Sequence, residues 1–340
     1  MEPAALSAGP QADLFALTAE WLSKGGVTPA PDTTTLDGRR VFFNTFSAEG
    51  FTTPSALPGF RLPAELLVGD GFPVVPPTVL PTADPRAAFV LQPRDLGLLG
   101  KVGWSRELPG EVAHRETFRT AASVFSRRLG ILQAQHLVHV QRYLGVAHNQ
   151  LRLSTRGRDV LLDHGVMGER DIFVPRDFLP PKDMTHHYLV AETALLLKAG
   201  LPFRWDAVFP SWLLQRRLRP TPAAIPDLLA VRGSPTRPPG RIWAFEIDLG
   251  GERLKGTFLP KLGVLAGLLD GWAAGGDTRI VILTRGVRRA EALRMGVEAL
   301  GLPVTVVVGV LPPETGRAGF EALRRLLSPP AKPTSQASGS

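Results

Sequence analysis

The chain contains no cysteine, which removes disulfides, thiolate zinc sites and cysteine nucleophiles together. Any metal it binds must therefore take oxygen or imidazole ligands. It has no apolar run approaching the roughly 20 residues that a membrane-crossing helix needs. Its first residues, Met1-Glu2-Pro3-Ala4-Ala5, do not place a basic stretch ahead of an apolar one, as a secretory signal does. The expectation is a cytoplasmic protein with no membrane partner. Acidic residues are also short: 31 Asp and Glu stand against 39 Lys and Arg, for a net charge of +8. That excess favours a polyanionic partner, nucleic acid first, although solubility alone accounts for part of it.

What is present reads as globular, with 44% hydrophobic and 21% charged residues over 340 positions, a length that suits two domains. Residues 1–85 form an N-terminal extension that ends in a Pro-rich linker, with one short amphipathic helix expected around Leu14 to Leu22 and a strand from Arg40 to Phe46. Residues 329–340 read as a disordered tail. Between Gln92 and Gly165 the pattern gives helices over Arg94 to Val102, Leu108 to His114 and Glu116 to Leu132. Two extended runs, Leu137 to Tyr143 and Gln150 to Ser154, and a closing helix follow. Phe118, Ala122, Phe125, Leu129 and Leu132 repeat at helical spacing in the third helix, leaving a small, polar, cationic face opposite. Three helices and a two-stranded wing predict a winged helix-turn-helix over residues 86–168.

The remainder, residues 183–328, alternates helix and strand. A helix from His186 to Ala199 precedes strands near Phe203 to Phe209, Leu228 to Val231 and Ile242 to Asp248. Then come a helix from Pro260, a strand from Arg279, a helix from Arg288, a strand from Val304 and a last helix ending near Leu327. Consecutive strands followed by a strand-helix-strand crossover predict an α/β domain with a mixed sheet flanked by helices.

Side chains alternate along Ile242-Trp243-Ala244-Phe245-Glu246-Ile247-Asp248, so Glu246 and Asp248 share a face, roughly 7 Å apart by strand rise. Asp227 opens the neighbouring strand. Three like charges near a core raise one another's pKa unless a cation neutralises them, and oxygen ligands of this kind suit Mg²⁺ or Mn²⁺. Lys261 falls on the sheet-facing stripe of its helix with Leu265, Leu268 and Trp272, and Glu192 falls in the apolar arc of Leu189, Thr193 and Leu196. Buried charges need partners, and both are expected to line the acidic pocket. A buried ion-pair cluster in a fold used only for binding is the alternative.

The run Pro226-Asp227 followed by Glu246-Ile247-Asp248 resembles the PD-(D/E)XK nuclease signature. That resemblance implies a restriction-endonuclease-like domain with Asp227 and Glu246 as Mg²⁺ or Mn²⁺ ligands. Asp248 stands where the signature has its lysine, which makes it an additional ligand and leaves Lys261 to position or activate water from the following helix. Together with Pro93-Arg94-Asp95-Leu96, Arg127-Arg128-Leu129, Leu153-Ser154-Thr155-Arg156-Gly157 and Glu252, the span from Leu91 to Pro312 resembles the bacterial replication-relaxation family. The resemblance implies a DNA-binding protein of plasmid or mobile-element replication, relaxation or processing. A metal-dependent endonuclease and a transcription regulator with an inactive nuclease-like domain are the alternatives.

DNA contacts are expected from Arg119, Thr120, Ser123, Arg127 and Arg128 on the third helix, and from Arg142, Arg152 and Arg156 at and after the wing. Winged helices often work in pairs, which makes a homodimer a candidate assembly. His186 and His187 read as helix-start polar residues, with reach into the acidic pocket as the alternative. The histidines of the winged region, His114, His136, His139, His148 and His164, have no metal-ligand spacing. Gly250-Gly251 reads as a turn.

Overall fold

The structure, a computed structural model, describes residues 35–36, 39–40, 66, 69–73, 91–118, 120–142, 149–179, 181–202, 204–219, 221–234, 237–272, 277–311 and 316–327. The amphipathic helix expected near Leu14 and the C-terminal tail lie outside these residues, as does most of the strand expected from Arg40; the N-terminal extension contributes strands of two residues, Thr35–Leu36 and Arg39–Arg40.

The first module runs α1 (Pro93–Ser105), β1 (Leu108–Pro109), α2 (Gly110–Thr117), α3 (Ala122–Ala134), β2 (Val138–Gln141), β3 (Gln150–Leu153) and α4 (Thr155–Asp163). Its three strands are antiparallel in the order β1-β3-β2. Pro93 opens α1, where a missing N–H does no harm, and the Asp95 carboxylate turns back to accept the Gln92 N–H at 2.7 Å. Ser154 caps α4 by accepting the Gly157 N–H at 2.9 Å while its hydroxyl donates to the Leu137 carbonyl. Gly157 is required there, because a Cβ would meet the Leu137 oxygen at 2.2 Å.

The expected third helix, Glu116 to Leu132, divides. Residues 110–117 form α2, Phe118 turns to extended backbone, and α3 begins only at Ala122. Phe118 still joins the core by packing edge-on to Phe125 at 5.1 Å, whereas Ala122 is exposed, so the apolar spacing that linked them crossed a turn. Local periodicity cannot separate a helix from two helices whose core residues happen to keep step.

The second module runs α5 (Pro181–Lys198), β4 (Ala207–Pro210), α6 (Ser211–Arg217), β5 (Leu228–Ser234), β6 (Arg237–Asp248), α7 (Leu259–Trp272), β7 (Asp277–Arg285), α8 (Val287–Leu300), β8 (Thr305–Leu311) and α9 (Gly316–Leu327). The five strands order as β8-β7-β6-β5-β4, with β4, β5 and β6 an antiparallel meander and β6, β7 and β8 parallel. This is the expected α/β arrangement, a mixed sheet flanked by helices. The odd residues of β6, Trp243, Phe245 and Ile247, face α5 and α9. The even residues, Ile242 and Ala244, face α6, α7 and α8. The short helix α6 was not anticipated.

The two modules share one apolar core. Leu96, Leu99 and Leu161 of the first belong to the same buried cluster as Leu197, Phe245 and Leu283 of the second. Polar bonds cross with it: Trp212 Nε1 donates to the Trp104 carbonyl at 2.9 Å, and His187 Nε2 meets the Glu107 carbonyl at 3.0 Å. Asp70, from the N-terminal extension, is fully buried between them. Its carboxylate accepts the Val208 N–H at 2.6 Å and the Phe72 N–H at 3.1 Å and pairs with Lys198, while its carbonyl accepts Trp104 Nε1 at 3.1 Å. Gly71 beside it has a positive φ of 64° and no room for a Cβ, which would overlap Asp171. No helix among the described residues is long and apolar enough to cross a membrane.

Removing one partner of a buried pair strands the other's charge. Asp70→Ala is expected to destabilise the chain by roughly 3–5 kcal/mol in urea unfolding, and Asp70→Ala with Lys198→Met to recover part of that loss. Burial lowers the pKa of His187 to about 4. Its unfolded form titrates near 6.5, so its neutral burial stabilises fully above that value and progressively less as pH falls toward about 4. His187→Gln keeps a donor without titrating, and the stability difference between wild type and this variant is expected to shrink over that window.

Candidate functional site

The antiparallel register Leu228↔Phe245 brings Asp227, one residue earlier, level with Glu246 on the adjoining strand. Both lie on the face covered by α7. The Ile247 N–H donates to Asp227 Oδ2 at 2.8 Å, so the backbone near the end of the central strand orients that carboxylate. His186, from α5, donates from Nε2 to the same oxygen at 3.1 Å. Of the two readings of His186, the structure shows the acidic-pocket one and not the helix start, since α5 already begins at Pro181.

Glu246 is only 2% exposed. Its Oε2 accepts Lys261 Nζ at 2.7 Å, while its Oε1 is buried with no hydrogen-bond partner. Burial, followed by the charge of Asp227, pushes the Glu246 carboxyl up to about 8, against the pull of Lys261. Burial disfavours the Lys261 ammonium, but Glu246 and Asp227 more than offset this and raise its pKa, so it stays charged. His186 behaves likewise: burial lowers its pKa, and its bond to Asp227 and the charges of Asp227 and Glu246 raise it overall. The expected meeting of Asp227, Glu246 and Lys261 is therefore present.

Two expected members are elsewhere. Asp248 shares the buried face, but its oxygens are taken by Arg289 of α8 (2.7 Å from Nε and 3.3 Å from Nη2), by the Thr284 hydroxyl at 3.1 Å and by the Gly250 N–H at 2.9 Å. A carboxylate so engaged holds the turn after β6 and is not an open metal ligand. Glu192 does fall in a buried arc of α5, but it pairs with Arg115 of α2 at 2.7 Å and so ties the two modules together. Burial raises its pKa and Arg115 opposes the rise. Six positions along a helix separate His186 from Glu192, which turns them to different sides. Glu252 is exposed and acts on Glu246 and Lys261 only through its charge.

Among the described residues no group of three or more His, Asp or Glu is gathered to hold a metal ion. The donor set instead offers two carboxylates, Asp227 and Glu246, one with a buried oxygen that nothing satisfies. That fits Mg²⁺, which keeps several of its waters and binds through one or two carboxylates.

On the first module, Thr120, Ser123 and Arg127 are exposed at and along α3, as are Arg142 after β2 and Arg156 on α4. Arg119 lies outside the described residues. Arg128 and Arg152 are not free for DNA. Arg128 forms a two-pronged bond to the fully buried Asp95, with Nε 3.0 Å from Oδ1. Arg152 donates to the Pro175 carbonyl at 2.6 Å and to that of Arg176, and lies over the Phe178 ring at 4.8 Å. The buried Asp95 in the first helix was the available signal for Arg128, because a carboxylate in an apolar stripe needs a cation.

No protein-family model, curated protein or solved structure matches the chain.

The two adjacent arginines should separate cleanly. Arg128→Ala leaves Asp95 buried and unpaired and is expected to cost roughly 3–5 kcal/mol in chemical denaturation. Arg127→Ala, on the exposed side, is expected to leave the unfolding free energy unchanged within about 0.5 kcal/mol.

Proposed function

We propose that the protein binds DNA through a winged helix-turn-helix and hydrolyses phosphodiester bonds at a divalent-cation site in a nuclease-like domain. The observation that carries the second half is Lys261 at 2.7 Å from Glu246, whose other oxygen is buried, unpartnered and beside Asp227. The strand order helix-meander-helix-strand, with an aspartate entering the middle strand and a glutamate near the end of the next, supports the PD-(D/E)XK reading. For the first half, the support is the order α-β-α-α-β-β with the short first strand pairing the last. An exposed α3 face carrying Ser123, Ser126, Arg127 and Gly130 suits close approach to a groove.

In this reading Asp227 and Glu246 would hold Mg²⁺ or Mn²⁺, which would supply charge stabilisation and water activation for phosphodiester hydrolysis. Lys261 does what the displaced lysine of the signature does. It opposes the rise in the Glu246 pKa caused by burial and by Asp227, and presents an ammonium proton toward the site. His186 fixes Asp227 from the solvent side, and the Ile247 N–H fixes it from below. The resemblance to the replication-relaxation family directs this chemistry to plasmid or mobile-element DNA. The engagement of Asp248 with Arg289 favours a second reading, a DNA-binding regulator that does not cleave, because the signature's own lysine position has become structural.

Supercoiled plasmid incubated with the full chain is expected to be nicked with Mg²⁺ or Mn²⁺ and left intact with EDTA. Asp227→Ala and Glu246→Ala are expected to abolish nicking, and Lys261→Ala to slow it by roughly 10²–10⁴-fold. Intact plasmid across both metals and across supercoiled, linear and single-stranded substrates would leave the regulator reading in its place.

A further inference from the structure

The five-stranded sheet has two edges, and they are finished differently. At one, β4 is four residues long, ends in Pro210 and has its Val208 N–H bonded to Asp70 at 2.6 Å. A short strand, a proline and a covering group each keep an edge from pairing with another chain. At the other edge, β8 runs for seven residues, Thr305-Val306-Val307-Val308-Gly309-Val310-Leu311, without a charge or a proline. Its four valines favour extended backbone, and every second residue turns its N–H and C=O away from β7. Among the described residues no strand pairs with that side. A side chain does reach it: exposed Arg294 of α8 donates from Nη2 to the Val308 carbonyl at 3.1 Å.

The helices beside this edge leave apolar surface in water. Four of the six large apolar side chains exposed among the described residues lie on α8 and α9, namely Val287, Met295, Leu300 and Leu326. Leu326 sits against Gly309, where an added Cβ would meet it at 3.4 Å. On α8, Gly296 faces Leu259 of α7, so Arg294, two residues and about 200° earlier, turns to the open edge. Glu291 and Glu298 stand one turn to either side of Arg294 on the same stripe, and all three are exposed. Two such Glu-Arg-Glu stripes laid antiparallel and offset by one turn place each arginine against a glutamate of the other.

We propose that β8 pairs antiparallel with β8 of a second copy of this chain, joining the two sheets into one and setting α8 beside its symmetry mate. A two-fold axis normal to the sheet brings identical edges together, as closed dimers require. The charged stripe of α8 and the apolar side chains of α8 and α9 extend the contact beyond the strands. The dimer does not depend on the function proposed above, but it bears on it. Glu246 is level with Ile282, and Ile282 with Val308, the middle residue of β8. Pairing centred on Val308 therefore sets both Glu246 carboxylates level on one face, five strand spacings or roughly 24 Å apart.

Sedimentation equilibrium of the full chain is expected to give twice the chain mass. Val307→Lys, which puts a charge into the strand, is expected to give the single-chain mass with unchanged far-UV circular dichroism. Arg294→Glu leaves the sheet intact and is expected to weaken the dimer by roughly tenfold. The reversed stripe, Glu291→Arg with Arg294→Glu and Glu298→Arg, is expected to restore it. Because the chain has no cysteine, a single introduced one reports only on its symmetry mate. Val307→Cys or Val308→Cys, next to the axis, is expected to cross-link on oxidation, whereas Thr305→Cys, roughly 20 Å from its mate, is not. Wild type at single-chain mass at every concentration overturns the proposal. A dimer that cross-links at neither Val307 nor Val308, or equally well at Thr305, overturns it too, whatever the charge variants do. Plasmid nicking by a chain that stays monomeric leaves the proposed function standing without it.

Discussion

A carboxylate removed from water organises this molecule. Asp70 has no solvent access, and the free energy of burying its charge is recovered only because Lys198, two backbone N–H groups and a close-packed surround converge on it. Each of those donors belongs to a different piece of chain. Lys198 ends α5, Val208 lies in the edge strand β4, and Trp104, bonded to the Asp70 carbonyl, ends α1. Satisfying one buried group therefore fixes the helix that carries His186, the edge of the sheet next to the strand that Asp227 enters, and the first module against both. Such an arrangement adds specificity beyond its stability, since a shifted module would leave the pair unmet.

The same physics, with a different balance, governs the acidic site. Asp95, Asp248 and Glu192 are each matched by an arginine brought from another element. Glu246 is matched by a lysine at one oxygen only, with Asp227 close enough to repel it. Glu192 also keeps one buried oxygen without a hydrogen bond, but of these four carboxylates Glu246 alone has a neighbouring carboxylate whose charge acts on it more strongly than that of its cation. That imbalance is why the candidate function is centred there and not on the larger number of acidic residues around it. Asp248 illustrates the contrast: one strand step away on the same face, it is fully bonded.

Much of this was legible in residue order. The period-two alternation of Ile242 to Asp248 announced two apolar faces and the sidedness of Glu246, and strand geometry allows no other outcome once the strand forms. Lys261 was readable as facing inward because it shares a helical stripe with Leu265 and Leu268. The division of α2 from α3 was not readable, since Phe118 keeps helical step with Phe125 across a turn. Arg128 and Arg152 looked like neighbours of Arg127 and Arg142, because sequence shows that a residue is basic but not which way its side chain leaves the backbone or what waits there. Glu192 was correctly read as buried and wrongly assigned a partner.

By itself the sequence determined the alternation of elements, the faces of the strands and helices, the absence of thiol chemistry and the excess of positive charge, all of which depend on neighbours within a few residues. Only the tertiary structure decided which cation meets which carboxylate: Arg115 with Glu192, Arg128 with Asp95, Arg289 with Asp248 and Lys261 with Glu246. Those pairings join residues between 15 and 77 positions apart. A charge carries no label of its partner, and Coulomb attraction acts on distance in space, which packing of the common core sets.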